Sequence, residues 1–415
     1  MKMNSKKGIL MIIILFSLSF FNDAVACTTA IVSGKYTVDG RPLLFKQRDT
    51  HDLENKLVAF TDGKYPYIAL VNTNDSLGKA VWGGYNKAGF AIMNSASYNL
   101  NDKDPGIADN GCDGLIMKLA LQRCTTLADF EHLLDSLPKP LGTSSNFGVI
   151  DANGGAAYYE TGNYNYKKYD ANNPVVAPFG YLIRTNFSYS GDRLQDKGLA
   201  RYESAQELLS QASLNNAVSV GFFIDVTRYL KHGITKTNLT SWIPDNAAQP
   251  VFVAFRDYIP RYLTASAIII QGIKGHESPT QTIMWTILGS PLTTVAIPVW
   301  ITSSLNLPEI LVADRTQQAK LNEWSLTLKK RLFPIERGEG SDYINLAALI
   351  SKDNKGILQN ILPIEKQIIN HANINLIKWR SQPAISDKEI ITFYNWIDRF
   401  VTQSYHDTFN IPADL

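Results

Sequence analysis

The sequence predicts an α+β fold of largely antiparallel sheets, layered with helices outside and ending in a helical C-terminal tail. Three observations predict it. Strand-like segments come in runs, followed by helices, then by strands and helices again, rather than alternating one by one. Several strand candidates, such as ASAIIIQG at 265–272, are apolar on both faces, which suits sheets covered on both sides. At 45% hydrophobic and 11% aromatic, the 415 residues can bury a large core.

The elements follow in order. TTAIVSG (28–34) reads as a strand, KYTVDGRP (35–42) as a turn carrying Asp39-Gly40, and LLFKQRD (43–49) as the returning strand of a hairpin. Further strands are read at KLVAFTD (56–62), YPYIALVN (65–72), KAVWGGYN (79–86) and GFAIMNSAS (89–97). CDGLIMKLALQRC (112–124) has helical spacing, and TLADFEHLLDSL (126–137) follows with Thr126 as its N-cap. Strands resume at NFGVIDA (146–152), AAYYET (156–161) and FGYLIRTN (179–186). Helices are expected near ARYESAQELLSQ (200–211) and NAVSVGFFIDVTRYL (216–230). Strands return at TASAIIIQG (264–272), TQTIMWTIL (280–288) and TTVAIPVW (293–300). From about Pro308 the chain is mostly helical, including LNEWSLTLKKRLF (321–333) and the long run 354–380.

Ahead of these elements lies a segment that does not belong to the fold. Lys2, Lys6 and Lys7 precede fourteen uncharged residues, Gly8 to Phe21, and Ala24-Val25-Ala26 then places small residues at −3 and −1. The stretch is short for a bilayer span and has the composition of a signal peptide over 1–26. The expectation is an exported protein, periplasmic or secreted, whose mature chain is 27–415. No later stretch approaches eighteen apolar residues, so no membrane span is expected after processing. Residues 1–26 hold three of the 40 Lys and Arg and one of the 38 Asp and Glu, so the remainder is formally neutral. Neutrality gives no electrostatic reason for a nucleic-acid partner or an anionic membrane surface. No Pro/Gly/Ser-rich linker, charge block or repeat divides the chain, so 27–415 is read as a single domain with a helical extension over about 308–415. Nothing in the sequence sets an oligomeric state.

Three cysteines remain to be placed. Cys112 and Cys124 flank a helical segment, and twelve residues of helix span about 18 Å, beyond disulfide reach. No bridge is expected between them, and both read as small buried hydrophobes. Cys27 differs, because cleavage after Ala26 would make it the first residue. A thiol at an N-terminus has its own α-amine, of ordinary pKa near 7.7–8.0, within reach as a base. Nucleophile and base then belong to one residue, and no histidine is needed. None of the six histidines sits in a Cys/His motif, and His51 reads as a solvated turn residue. HExxH, CxxC, P-loop and GxSxG motifs are absent from the sequence, so no metal or cofactor is expected. The rival fate of such a cysteine is lipidation, which would cap the thiol and make an anchored binding protein. Ala24 at −3, where a lipobox usually has leucine, favours ordinary cleavage.

The segment CTTAIVSGKYTVDGRPLLFKQRD (27–49) resembles the start of the N-terminal-nucleophile (Ntn) cysteine hydrolases. That group includes choloylglycine (bile salt) hydrolases, penicillin acylases of the same type, acid ceramidase-like amidases and acyl-CoA:6-aminopenicillanate acyltransferases. The shared pattern is Cys-Thr at the mature start, a hairpin with an Asp-Gly turn, then a basic residue three before an aspartate, here Lys46 and Asp49. Arg48 in the same run shares the basic role. GGYNKAGFAIMNSASYN (83–99) is similar to a family segment bearing a substrate-pocket asparagine, placed on Asn94. LIRTNFSYSG (182–191) is similar to the segment of the oxyanion-hole asparagine, placed on Asn186. ARYESAQELL (200–209) resembles a helix whose opening arginine, Arg201, supports the substrate side. The resemblance spans most of 27–300 and fades in the helical tail.

The resemblance implies a four-layer αββα sandwich and cleavage of a linear amide in a small-molecule substrate through a Cys27 thioester. Asp49 would orient the amine, Lys46 or Arg48 would favour the thiolate, and Asn186 with a backbone N–H, that of Asn94, would meet the oxyanion. Water or a second amine would resolve the thioester, giving a hydrolase or an acyltransferase. A dipeptidase of a related N-terminal-cysteine family is the remaining catalytic alternative.

Overall fold

The computed structural model describes residues 26–75, 77–100, 111–192, 197–313, 318–382 and 385–412. The leader segment up to residue 25 lies outside the described residues, and Ala26 is the first of them. Two antiparallel sheets dominate. Numbered along the chain, one sheet has the order β10 (Tyr181–Arg184), β1 (Cys27–Val32), β2 (Leu43–Asp49), β12 (Thr264–Gln271), β13 (Ile283–Leu288) and β14 (Ile297–Val299). The other is a meander of β3 (Asn55–Phe60), β4 (Tyr67–Asn72), β5 (Gly83–Asn86), β6 (Ala91–Ala96), β7 (Ser145–Ile150), β8 (Ala156–Thr161) and β9 (Tyr166–Asp170). A small ribbon pairs β11 (Phe252–Ala254) with β15 (Tyr343–Asn345).

The two sheets face each other closely enough to demand glycine at two points. A Cβ on Gly148 of β7 would lie 2.9 Å from Cδ1 of Ile31, and one on Gly83 of β5 would lie 2.5 Å from Cδ1 of Ile268. On the outer side of the meander pack α1 (Asp113–Arg123) and α2 (Leu127–Ser136), where Phe130 meets Phe147 and Tyr159 edge-on. Thr126 caps α2 through a complete capping box with Asp129. Against the six-stranded sheet lie α3 (Leu199–Leu214) and α4 (Val220–Val226), with Phe223 stacked on Phe45. Both faces of β1 and β2 are therefore covered, and both are buried throughout.

The C-terminal segment joins this core. It contributes α5 (Lys320–Leu332), α6 (Leu346–Leu349), α7 (Ile357–Trp379) and α8 (Asp387–Phe409), and buries Trp324, Trp379 and Tyr405 with Trp300 of the sheet region. Glu365 of α7 accepts two hydrogen bonds of 2.7 Å from Arg228 and a third from the Ala296 N–H, tying the helix to the end of α4 and to the residue just before β14. Among the described residues no helix is long and apolar enough to cross a membrane.

Several expected elements come out shorter, and three strands were not foreseen. The helix expected over 216–230 is α4 alone, because Ser219 accepts from the Phe222 N–H and starts it, while the Thr227 hydroxyl turns back onto the Ile224 carbonyl. The strand expected at 79–86 begins only at Gly83. β9, YKKYD, is an edge strand with exposed lysines and no apolar alternation, and β11 and β15 are three residues each. All three cysteines are free, so no bridge joins Cys112 to Cys124; Cys124 is buried, whereas Cys112 is only half-buried.

Candidate active site

Cys27 opens β1, an inner strand of the six-stranded sheet, and is 4% exposed. Alternation puts Cys27, Thr29 and Ile31 on one face. That face looks at the other sheet, since Tyr158 of β8 donates to Thr29 Oγ1 at 2.8 Å and Ile31 meets Gly148. In the hairpin register Cys27 is opposite Arg48 and Thr29 opposite Lys46, so both cations share the face of the thiol. Lys46 Nζ donates to Asn94 Oδ1 (2.6 Å) and to the Trp82 carbonyl (2.7 Å). Arg48 donates to Asn55 Oδ1 (2.6 Å) and lies 4.5 Å above the Trp82 ring. The Asn94 amide nitrogen donates to Asp113 and, at 3.1 Å, to Ser145 Oγ. Burial lowers the Lys46 pKa to about 8; a Cys27 thiolate pulls it back up, Arg48 pushes it further down, and Asp113 supports the cation. Burial likewise brings Arg48 to about 10, opposed by Cys27, Asp52 and Asp113.

The nitrogen of Cys27 is held differently. With Ala26 in place it is an amide N–H, and it donates to Asn186 Oδ1 at 3.1 Å. Arg201 of α3 donates to the same oxygen at 2.8 Å, and to the Cys27 carbonyl and Thr28 Oγ1. The Asn186 amide nitrogen donates to the Ala96 carbonyl at 3.0 Å. Arg201 is 2% exposed, and burial, with Arg261 nearby, lowers its pKa to about 10. Room for its guanidinium comes from Gly198, which caps α3 with φ 83°; a Cβ there would sit 2.4 Å from Nη2. The turn carrying Asn186 is fixed by Glu160 of β8. This carboxylate pairs with Arg184 at 2.7 Å, both side chains fully buried, and accepts the Tyr189 and Ser190 N–H groups at 2.8 Å.

Asp49 ends β2 on the opposite face from the thiol. Its N–H donates to the Ala26 carbonyl at 2.7 Å, and its carbonyl accepts from the Ala26 N–H at 3.3 Å. Its carboxylate accepts from Arg261 Nε (2.9 Å) and Thr264 Oγ1 (2.7 Å), while the contact to the Cys27 nitrogen comes from Asn186. A cleft of about 250 Å³ borders this side, with Ala26, Asn186, Arg201 and Arg261 in its wall. Of the seven residues singled out in the sequence, Lys46, Arg48 and Asn94 thus gather on the thiol side, and Asn186 and Arg201 on the nitrogen side. Asp49 lies just beyond. Asn94, read as a pocket residue, sits under Lys46, and Arg201 touches the Cys27 main chain as well as the cleft.

Sequence reasoning missed Trp82, Asp113, Arg261, Thr264 and Gly198. The two groups on Asp49 come from positions 212 and 215 residues away, so no local pattern joins them to it. Gly198, just ahead of a helix, was the most readable of these signals.

A scan with protein-family models gives no match, and neither does a comparison with curated proteins. Among solved structures, the chain is similar to an N-acylethanolamine-hydrolyzing acid amidase ortholog of Caenorhabditis elegans, at 15% identity and TM-score 0.35, covering 47% of this chain and 86% of that one. It is similar to penicillin V acylase of Agrobacterium tumefaciens at 10% identity and TM-score 0.32, covering 67% and 86%. It is also similar to a variant of the conjugated bile acid hydrolase of Clostridium perfringens at 11% identity and TM-score 0.38, covering 70% and 94%.

Proposed function

We propose that this chain is the precursor of an exported N-terminal-cysteine amidohydrolase or acyltransferase, an Ntn enzyme of four-layer αββα architecture. Residues 1–26 are its leader, and it cleaves a linear amide through a Cys27 thioester. The observation that carries this reading is the setting of Cys27. It is a buried strand-opening cysteine, with two cations of the neighbouring strand on the face of its side chain and a carboxamide on its nitrogen.

Removal of residues up to Ala26 turns that nitrogen into an amine. The amine takes the Sγ proton, and the thiolate adds to the substrate carbonyl carbon, sending the π electrons to oxygen. Asn186 and the Asn94 main-chain N–H donate to this oxyanion. Arg201, by holding Asn186 Oδ1, fixes which end of the amide can donate. Collapse breaks the C–N bond, and the leaving amine takes the proton from the Cys27 ammonium. Water or a second amine then adds to the thioester carbonyl while the Cys27 amine takes its proton; the C–S bond breaks, releasing the acid or the new amide, and the leaving thiolate takes that proton from the ammonium. Asp49, gripped by Arg261 and Thr264, orients the amine.

The test is turnover by purified protein of residues 27–415 on N-acyl amino acids, conjugated bile salts, β-lactams and dipeptides. Amine release that disappears in Cys27→Ala is expected, from a chain whose intact mass begins at unmodified Cys27. A diacylglyceryl mass on Cys27, or turnover that survives Cys27→Ala, would overturn the reading.

A further inference from the structure

Helix α5 belongs to the C-terminal segment that follows both sheets, yet it reaches both sides of Cys27. Its buried stripe is Leu321, Asn322, Trp324, Ser325, Leu328 and Leu332, and into that stripe it also turns Lys329. A lysine on the buried face of a helix is a costly choice unless its amine has a partner. Lys329 is 3% exposed; its Nζ donates to the Thr264 carbonyl at 3.3 Å and lies 4.7 Å above the Tyr262 ring. Thr264 is the residue whose hydroxyl donates to Asp49, and it stands opposite Asp49 in the β2–β12 register. Asn322, two turns earlier, accepts from the Asn55 N–H at 3.3 Å, and Asn55 Oδ1 is the acceptor for Arg48.

We infer that Lys329 is a positioning residue of the Cys27 site, acting through Thr264 and Asp49 to set the charge that the α-amine meets, so that the C-terminal helix is part of the active-site machinery. The inference rests on the amidohydrolase reading above. Asp49 carries one negative charge among Arg261, Arg201 and Lys329. A cationic Lys329 offsets that charge, so Asp49 stabilises the ammonium form of Cys27 less, and the amine stays a free base to lower pH. Burial lowers the Lys329 pKa to about 7, opposed by Asp49, so its charge changes in the range where the amine must work. The other charged groups on its surroundings line the cleft on its far side: His51, Asp52 and Glu54 from the loop after β2, Glu336 from the loop after α5, and Glu323 and Lys330 of its own helix. All of these remain in each variant below, so the change read is that of position 329.

The experiment compares kcat and KM against pH for protein of residues 27–415 with Lys329, Lys329→Met, Lys329→Gln and Lys329→Arg, alongside Cys27→Ala. Without the cation, kcat on the acidic side of the limb should fall about three- to tenfold, with KM within about twofold and the plateau little changed, since the base and not substrate binding is altered. The acidic limb of kcat should move up by about half to one pH unit in the Met and Gln variants. Lys329→Arg, which stays charged, should keep the limb at or below its native position. A folded Met or Gln variant with an unmoved limb overturns the proposal, as do Arg and Met variants with the same limb. Loss of the fold in all three assigns Lys329 a structural role alone and overturns it too. If turnover does not depend on Cys27 at all, the amidohydrolase reading fails instead, and the Cys27→Ala control tells the two failures apart.

Discussion

On its thiol side Cys27 faces Lys46 and Arg48, whose hydrogen bonds go to neutral oxygens of Asn94, Trp82 and Asn55, whereas just beyond its nitrogen side the Asp49 carboxylate is gripped by Arg261 and Thr264. The difference has a physical consequence. Cations satisfied by neutral acceptors keep their charge available to a thiolate, while a carboxylate already matched by a guanidinium acts on the amine through direction more than through net charge. One strand, β2, presents the two functions on opposite faces. Each side can therefore be damaged without the other.

The largest loss should come from the nitrogen side. Leaving one glycine ahead of Cys27 keeps the thiol and its cations but turns the base into an amide. General-base contributions of roughly 10²–10⁴-fold should vanish, and Cys27→Ala should be as inactive. Turnover by the two proteins, with intact mass confirming the extra residue, checks this. A glycine-extended chain working at the native rate would falsify the amine as base.

Asn186→Ala should come next. On the proposed mechanism it removes a donor that matters only once the oxyanion exists, so kcat should drop by about 10²–10³-fold with little change in KM. A KM rise at constant kcat would instead place Asn186 among the groups that bind the ground state. Behind it, Arg184→Met leaves Glu160 buried without its cation and frees the turn that carries Asn186. Breaking a fully buried pair from one side costs about 3–5 kcal/mol, read as a lowered urea midpoint. A midpoint within error of the native one would mean that the turn is held without the Arg184–Glu160 pair, by contacts such as those of Asn99, which accepts from the Ser188 N–H at 2.8 Å and donates to the Ser188 carbonyl at 3.0 Å.

How much of this was legible depended on distance along the chain. Cys27, Lys46, Arg48 and Asp49 fall within one hairpin, and an Asp-Gly turn with apolar flanks announces its register, so strand alternation alone puts both cations on the thiol face. The Thr126 cap was readable for the same local reason. Arg261 and Thr264 meet Asp49, and Lys329 meets Thr264, only because β12 pairs with β2 and α5 packs behind them, and neither event leaves a mark near residue 49. Lys329 did leave a faint one, a charge four residues after Ser325 in an otherwise buried stripe. Asn94 shows the opposite case: its segment was readable, but no spacing rule could say that its side chain accepts from Lys46.

The smallest effect sharpens the thiol side. Lys46→Met removes one of two cations beside Cys27 and leaves Arg48. With a pKa brought to about 8 by burial, Lys46 is mostly charged at pH 7 and loses its charge as pH rises through about 8. Its help to the thiolate is therefore present below that range and wears off above it. At pH 7 the rate of Cys27 alkylation by iodoacetamide should fall roughly tenfold in the Met variant, because a cation beside the thiolate is lost. Lys46→Arg keeps a cation there and should stay within about threefold of the native rate at pH 7. At about pH 9.5 the native and Met proteins should converge, because Lys46 has by then lost its charge. Cys124, buried and pushed up to about 12, should not contribute to the signal. A Met variant that alkylates at the native rate at pH 7 would move the whole of the thiolate's support to Arg48, which faces Cys27 directly across the hairpin.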